Sequence, residues 1–197
     1  SEVTKLFPSG WDRRYVSDVR RFLPRPSARE RAFPGGPGLR SDLLWKGRRD
    51  EFLSSCLEES VLPEDLTCRY KEVLSAGKVR PLTIFDHNVD LLGPLNNTLY
   101  DSLSRKPWLL RGTPTVERIR KVCVNEFQTS VDLVNATDGL RLDVARVALE
   151  SLFFTSISVP RSVRQLALRS LHPLVEEMGR VERGQMMGAY LSFPLLC

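Results

Sequence analysis

The sequence has little of the chemistry that zinc sites and disulfide frameworks need. Its 197 residues include two histidines and four cysteines, and no two cysteines form a C-x-x-C pair. This scarcity and wide spacing argue against both a zinc site and a disulfide scaffold. We therefore expect reduced thiols in an intracellular protein. The cysteines are Cys56, Cys68, Cys123 and Cys197.

Long apolar runs are also missing. No stretch approaches the length needed to cross a bilayer, and the first residues do not resemble a secretory leader. We expect no membrane-spanning segment. With 42% hydrophobic and 27% charged residues, the composition is that of a globular protein.

Arginine is abundant, and the formal net charge is +5. Such a charge favours polyanions, nucleic acid among them, although the solvated surface of a slightly basic protein has the same composition. Many of the arginines fall in the first fifty positions: Arg13, Arg14, Arg20, Arg21, Arg25, Arg29, Arg31, Arg48 and Arg49.

The first half of the chain predicts loops, a helix, extended chain and a second helix. Residues 1–40 mix aromatic anchors with Pro and Gly and predict a loop-rich lead-in. Apolar spacing predicts a helix from residue 41 that stops at Pro63, followed by extended chain over 68–86. Leucines spaced by three and four residues then predict a helix over 92–103, with a proline in its first turn.

The second half predicts three more helices and a strand. The helices cover 115–124, 140–152 and a stretch from Pro160 to Met178, the last with a kink at Pro173. Gln128–Leu133 is β-branched and apolar and predicts a strand. We therefore expect an α+β fold in which helices dominate.

The stretch SVDLVNATDGL places two acids, Asp132 and Asp138, on either side of a short apolar segment. An acid that ends a strand and a second acid at the next bend fit a site for a metal ion and a hydroxyl group. Asp138 also stands where an N-cap of the following helix is expected, since Asp is a favoured capping residue. Both interpretations stay open at this point.

Two further segments carry candidate chemistry. In GKVRP, alternate strand positions would let Lys78 and Arg80 face one triphosphate, although a hairpin turn with exposed basic ends fits equally well. In GQMMG, the absence of side chains at Gly184 and Gly188 would let a nucleic-acid strand or sugar approach the backbone. The alternative is a flexible connector whose methionines enter the core.

Four segments, in chain order, resemble one family. GKVRPLTI, LLGPLNNTLYDSLSRKPWLLRG, SVDLVNATDGL and RGQMMGAYLSFPLLC are similar to fingers and palm segments of viral RNA-directed RNA polymerases, in particular the botourmia-like and narna-like group. The resemblance is most specific in the last two segments, and it extends loosely to LFPSGWD near the start.

The resemblance implies a role for each matching residue. Asp132 would be the catalytic aspartate that binds divalent metal, Mg²⁺ or Mn²⁺, and Asp138 would hydrogen-bond the ribose 2′-hydroxyl. Lys78 and Arg80 would grip the triphosphate. The mobile loop beside the incoming nucleotide would lie between Gly184 and Gly188, with Ser192 near the sugar.

The resemblance also implies an organisation and partners. Residues 1–40 would be an N-terminal loop-rich extension, 41–125 the helix-rich fingers region with the basic GKVRP motif, and 126–197 the first part of a right-hand polymerase palm. The partners would be an RNA template and product, ribonucleoside triphosphates, and the C-terminal palm and thumb of the same polymerase. The location would be the host cytoplasm.

The sequence departs from the family in one respect that bears on catalysis. A polymerase palm needs a further acid pair, usually GDD, beyond the glycine-bracketed loop, and no Asp or Glu follows GQMMG in these 197 residues. Two-metal phosphoryl transfer needs more than one carboxylate, so we expect the chain alone to be inactive. The sequence predicts a segment of an RNA-directed RNA polymerase; the alternative is a non-catalytic RNA-binding remnant of such an enzyme.

Overall fold

The computed structural model of the chain describes residues 2–24, 45, 47–75, 77–123, 125–129, 131, 136–186 and 188–197. These residues form a mixed α and β fold, and none of their helices is both long and apolar enough to cross a membrane. The helices are α1 (Glu2–Leu6), α2 (Tyr15–Arg21), α3 (Arg49–Leu57), α4 (Gly93–Leu103), α5 (Val116–Val122), α6 (Leu142–Phe154), α7 (Arg161–Arg169) and α8 (Ser192–Leu196), with a 3₁₀ helix at His87–Leu92. The strands are β1 (Thr67–Ser75), β2 (Lys78–Phe85), β3 (Leu174–Val175) and β4 (Gly179–Arg180).

The hydrophobic core is organised around the 3₁₀ helix and α4. The predicted leucine stripe is confirmed, because its members at 92, 95, 99 and 103 are all buried. Pro94 lies in the first turn of α4, where its missing N–H leaves no hydrogen bond unmade. Helices α2, α3, α6 and α7 contribute further buried side chains, among them Tyr15, Phe52, Leu149, Val163 and Leu166.

The four strands form one mixed sheet in the order β2-β1-β3-β4. β1 and β2 form an antiparallel hairpin, so the extended chain predicted over 68–86 is confirmed. β3 runs parallel to β1, and β4 pairs antiparallel with β3. The base of the hairpin joins the core through Cys68 and Phe85, which are opposite each other and buried.

A buried carboxylate and an arginine satisfy the backbone of the link between α6 and α7. Asp12 is fully buried and accepts hydrogen bonds from the N–H groups of residues 157, 158 and 159 and from Ser156 Oγ. Arg164 donates to the carbonyl oxygens of residues 153, 156 and 159. Because buried backbone groups without partners are costly, these two side chains hold the link in place.

Of the forty residues predicted to be a loop-rich lead-in, the structure describes 2–24, and there it shows two short helices that the sequence did not predict. Within 2–24 the chain forms α1 and α2, and Tyr15 donates a hydrogen bond from its hydroxyl to the carbonyl of Cys56 over 2.8 Å. These helices are too short for periodicity to reveal them; packing against α4 and α6 stabilises them. Residues 25–44 lie outside the described part, and the predicted helix from residue 41 is observed as Arg49–Leu57.

The last predicted helix is also wrong beyond Arg169. The prediction continued it to Met178 with a kink at Pro173, whereas α7 ends at Arg169 and the chain turns into the small strands β3 and β4. Pro173 therefore follows a helix end instead of kinking a helix. The turn between the strands uses a left-handed conformation at Glu177, with φ of 64°.

The strand predicted at Gln128–Leu133 is not observed at its described positions. Gln128, Thr129 and Val131 have no regular structure, and the remaining positions of that segment lie outside the described residues. Val131 is 78% exposed and Phe127 is 87% exposed. The β-branched composition suits a strand, but a strand also needs a neighbour to pair with and a surface to pack on.

Candidate functional site

The β1–β2 hairpin carries a basic face. Antiparallel pairing places Arg80 opposite Val73 and Lys71 opposite Leu82, and side chains alternate between the two faces of the hairpin. Four exposed basic residues therefore share the face that points away from Cys68 and Phe85. We call them the basic face: Arg69, Lys71, Lys78 and Arg80.

The GKVRP segment forms the turn of this hairpin and the start of β2. Gly77 occupies the hairpin turn with φ of 73°, and Lys78 begins β2 directly after it. The hairpin with exposed basic ends is therefore observed, and Lys78 and Arg80 lie on one face as strand alternation predicts. The hairpin geometry leaves these cations in solvent, where an anionic ligand can reach them.

Gly184 lies directly against the turn that holds Asp138. A Cβ atom added to Gly184 would be 2.9 Å from both the Cα and the carbonyl oxygen of Asp138, which is closer than van der Waals contact. The adjacent Gln185 N–H donates to the carbonyl of Thr137 over 2.8 Å. The SVDLVNATDGL and GQMMG segments, almost fifty residues apart in the chain, are therefore in backbone contact.

The second glycine of the same loop lies against β2. A Cβ atom added to Gly188 would be 2.8 Å from the carbonyl oxygen of Thr83. Both glycines have a positive φ, 74° at Gly184 and 108° at Gly188, so two independent constraints require glycine at each position. We call residues 184–188 the glycine loop; residue 187 is outside the described part.

Ser192 and Tyr190 attach the segment after the glycine loop to the core. Ser192 is buried, and its hydroxyl donates to the carbonyl of Met186 over 2.8 Å. Tyr190 donates from its hydroxyl to Oδ1 of the fully buried Asp90 over 3.0 Å. In this conformation Ser192 holds the loop and is not exposed to a sugar.

Asp138 does not cap the helix that follows it. α6 begins at Leu142 with Arg141 at the N-cap position, three residues after Asp138. Asp143 accepts a hydrogen bond from the N–H of Val144 instead and pairs with Arg141. Asp138 lies in the turn at 136–139 with its side chain exposed, so the capping interpretation is wrong.

The predicted metal ligand Asp132 lies outside the described residues. Among the residues that the structure describes, no three His, Cys, Asp or Glu side chains come together in a group that could hold a metal ion. Asp138 alone is a single exposed carboxylate, and two-metal chemistry needs several oxygen ligands. The described residues by themselves therefore do not form the predicted Mg²⁺ (or Mn²⁺) site.

Lys78 and Arg80 stand apart from the contact between the glycine loop and the Asp138 turn. At the rise of a β-strand, Arg80 is about 10 Å and Lys78 about 17 Å along β2 from Thr83. Within the described part of the chain, no hydrogen bond or ion pair joins either cation to the glycine loop. Lys78 and Arg80 therefore lie closer to the hairpin turn than Thr83, the residue of β2 that the glycine loop contacts.

Thiol chemistry at the core cysteines is disfavoured. All four cysteines are free, as predicted. Burial raises the pKa of the Cys56 thiol to about 12, a change that nearby Arg49 partly opposes. Burial, together with Asp86 and Glu176, raises the pKa of Cys68 to about 11. Because the thiolate is the nucleophile, both residues act as core side chains at neutral pH.

Sequence reasoning missed several residues of this region. Arg69 and Lys71 join the basic face only through the pairing of β1 with β2, which the register of the hairpin determines. Gln185 is 3% exposed, and its Nε2 has no hydrogen-bond partner in the described part of the structure. The sequence feature that could have identified Gln185 is its position between Gly184 and Gly188. The contact between Tyr190 and Asp90 joins positions one hundred residues apart, and no local sequence pattern predicts it.

Comparisons with protein-family models, with curated proteins and with solved structures found no match for the chain. The chain is a mixed α and β protein in which the glycine loop contacts both β2, at Thr83, and the turn at 136–139.

Proposed function

We propose that the chain is a segment of a viral RNA-directed RNA polymerase, comprising fingers and the first part of the palm. The reaction would be nucleotidyl transfer from ribonucleoside triphosphates onto an RNA copy of a viral RNA template. The observation that supports this most strongly is the contact of the glycine loop with both Asp138 and Thr83. Three of the segments that resemble polymerase motifs belong to this one neighbourhood.

The chemistry of phosphoryl transfer agrees with the residues available. Such a reaction depends on positioning and charge neutralisation more than on a reactive side chain. The basic face offers four cations for a triphosphate or an RNA backbone, and the exposed Asp138 offers a carboxylate that can accept a hydrogen bond from a ribose hydroxyl. Buried Cys56 and Cys68 are not needed for this chemistry.

Mg²⁺ or Mn²⁺, which the resemblance implies, would require Asp132 together with carboxylates beyond this sequence. When bound, the metal would neutralise charge on the transferred phosphate. The contribution of these 197 residues would then be to bind the triphosphate with Lys78 and Arg80, to orient the ribose with Asp138, and to position both through the glycine loop. Acting alone, the chain would bind but not polymerise.

A second candidate is a non-catalytic RNA-binding protein derived from such an enzyme. The exposed basic face favours it, because binding an RNA backbone requires cations and no acid pair. The two proposals differ in whether the acid pair exists elsewhere in the same polypeptide. Sequencing the encoding RNA beyond the codon for Cys197 distinguishes them: an open frame that reaches a GDD-like hairpin supports the polymerase, and a stop codon supports the remnant.

A further inference from the structure

A cleft of about 440 Å³ is lined by residues of α6, α7, the segment between α7 and β3, and β4. None of its lining residues belongs to the basic face, the glycine loop or the turn that holds Asp138. Of the six that line it, three are arginines and none is acidic. They are Arg146, Gln165, Leu168, Arg169, His172 and Arg180.

Two of the arginines are held in place by backbone carbonyls. Arg169 donates from Nη1 to the carbonyl of Pro63 over 2.8 Å, and Arg180 donates from Nη1 to the carbonyl of His172 over 3.0 Å. A guanidinium group carries five N–H donors in a planar fork. A hydrogen bond through one nitrogen fixes the orientation of the guanidinium group, and the other nitrogens keep N–H groups that can bind a ligand. Because the side chain is already ordered, ligand binding loses less side-chain entropy.

His172 adds a further polar group whose orientation is fixed. Its Nδ1 lies 3.1 Å from the carbonyl oxygen of Val181, an arrangement that suits an N–H at Nδ1. The bond to Val181 leaves Nε2 for other partners, and His172 lines the cleft together with the three arginines. Gln165 supplies an amide and Leu168 an apolar wall.

Two carboxylates at the edge of the cleft reduce its positive charge without cancelling it. Asp65 accepts from Arg180 over 2.8 Å, and Glu150 lies 3.9 Å from Arg146. Both pairs are substantially exposed to water, so each contributes little and a multivalent anion can compete for the arginine. Three guanidinium groups against two carboxylates leave a net positive cleft.

We propose that this cleft is a second anion site, which binds a ligand carrying phosphate groups and about the size of a nucleotide. Arginine forks match phosphate oxygens in bidentate geometry, and the cleft is large enough for more than one phosphate, within the range of small-ligand pockets. The phosphates come from an RNA backbone or from a free oligophosphate. The site does not depend on the polymerase proposal, because it shares no residue with it.

Titrating the full chain with tripolyphosphate, and separately with a short uridine oligonucleotide, tests the proposal. His172 is one of two histidines, so its ring resonances in NMR spectra report on the cleft directly, whereas those of His87 serve as an internal reference. The variant is Arg146→Gln combined with Arg169→Gln. The matched control is Arg105→Gln combined with Lys121→Gln, which removes two charges from exposed positions outside the cleft, and Arg105→Gln alone controls for the loss of one charge.

We expect the ligand to shift the His172 resonances in the native chain and in the control. In the double variant the dissociation constant should rise at least about tenfold, the effect expected when charge-assisted hydrogen bonds are lost. If the double variant binds both ligands more weakly, the cleft is a phosphate site that accepts RNA. If only the affinity for tripolyphosphate falls, the natural ligand is a free oligophosphate. If only the affinity for the oligonucleotide falls, the natural ligand is an RNA strand. Unchanged binding of both ligands, or no shift at His172, overturns the proposal.

The single variant Arg146→Gln keeps the test valid if the double variant does not fold. Arg146 lies on the surface of α6, and its ion pair with Glu150 is exposed, so its replacement should leave the thermal unfolding midpoint close to that of the native chain. A weakened tripolyphosphate affinity in this variant supports the site. An affinity equal to that of Arg105→Gln contradicts it.

Discussion

Gly184 lies so close to the backbone of Asp138 that a methyl group on Gly184 would be 2.9 Å from the Asp138 Cα atom and carbonyl oxygen. This contact joins two segments that the sequence singles out for different reasons, one for its acids and one for its glycines. It makes the conformation of the Asp138 turn depend on the glycine loop.

Replacing Gly184 with alanine should therefore destabilise the protein. The left-handed backbone and the clash with Asp138 together should cost about 2–5 kcal/mol in the free energy of unfolding. Gly77→Ala is the matched control, because its φ of 73° is nearly the same as the 74° of Gly184 while a Cβ there meets nothing within 4 Å. Urea unfolding gives the loss of stability in each variant, and the difference between the two losses measures the cost of the clash. Equal losses of stability would contradict the close contact.

The sequence predicted that the glycines permit a close approach, and the structure shows the protein's own backbone close to them, at Asp138 and Thr83. The approach of a nucleic-acid strand or a sugar stays a prediction. A glycine pattern reveals that space is needed and does not reveal what occupies it. Only the packing of β2 and the Asp138 turn around the loop supplies that information.

Elements with long-range apolar periodicity could be predicted, and short elements could not. The leucine stripe of α4 and the β1–β2 hairpin follow from local patterns. The strands β3 and β4 have two residues each and depend on pairing with β1, so their own sequence carries almost no signal. The Asp12 contacts depend on residues about 145 positions away in the chain, which no spacing rule reaches.

Asp12 should give the protein a pH-dependent stability. Burial opposes its ionisation, but hydrogen bonds from Ser156 and from the N–H groups of residues 157–159 outweigh burial and hold the pKa of Asp12 below its ordinary value. The stabilisation is therefore fully present above about pH 4, the ordinary pKa of Asp, and is lost as the pH falls through the lowered pKa.

Asp12→Asn should accordingly lower the free energy of unfolding by about 1–3 kcal/mol at neutral pH, because an amide cannot accept all of these hydrogen bonds. The difference from the native chain should shrink below pH 4. Asp50→Asn, which alters an exposed carboxylate in α3, is the control and should show little change at either pH. A difference that is constant with pH would contradict the role of the Asp12 charge.

Asp138→Ala should relax the choice between ribose and deoxyribose. In a polypeptide that also carries the further acid pair, losing a hydrogen bond to a charged acceptor should reduce discrimination about tenfold to a hundredfold. Competing incorporation of ribonucleotides and deoxyribonucleotides measures this ratio. Asp143→Ala removes a nearby exposed acid and should leave the ratio unchanged; unchanged discrimination in Asp138→Ala would contradict its role at the sugar.

Replacing Lys78 or Arg80 with glutamine should raise the concentration of ribonucleoside triphosphate needed for binding, with a larger effect at low salt. Both side chains are exposed on the basic face, so the thermal unfolding midpoint should hardly move. Lys121→Gln, on the exposed surface of α5, controls for loss of charge. A change in stability without a change in triphosphate affinity would mean that these residues serve the hairpin alone.

The most direct test of the polymerase proposal is RNA synthesis by the polypeptide expressed from the whole encoding reading frame, with Asp132→Asn as the variant. We predict template-directed incorporation of ribonucleotides that requires Mg²⁺ or Mn²⁺ and is abolished in the variant, while RNA binding, measured on the same preparations, stays within about twofold of the native protein because the basic face is intact. Synthesis that persists undiminished in Asp132→Asn would contradict the proposal.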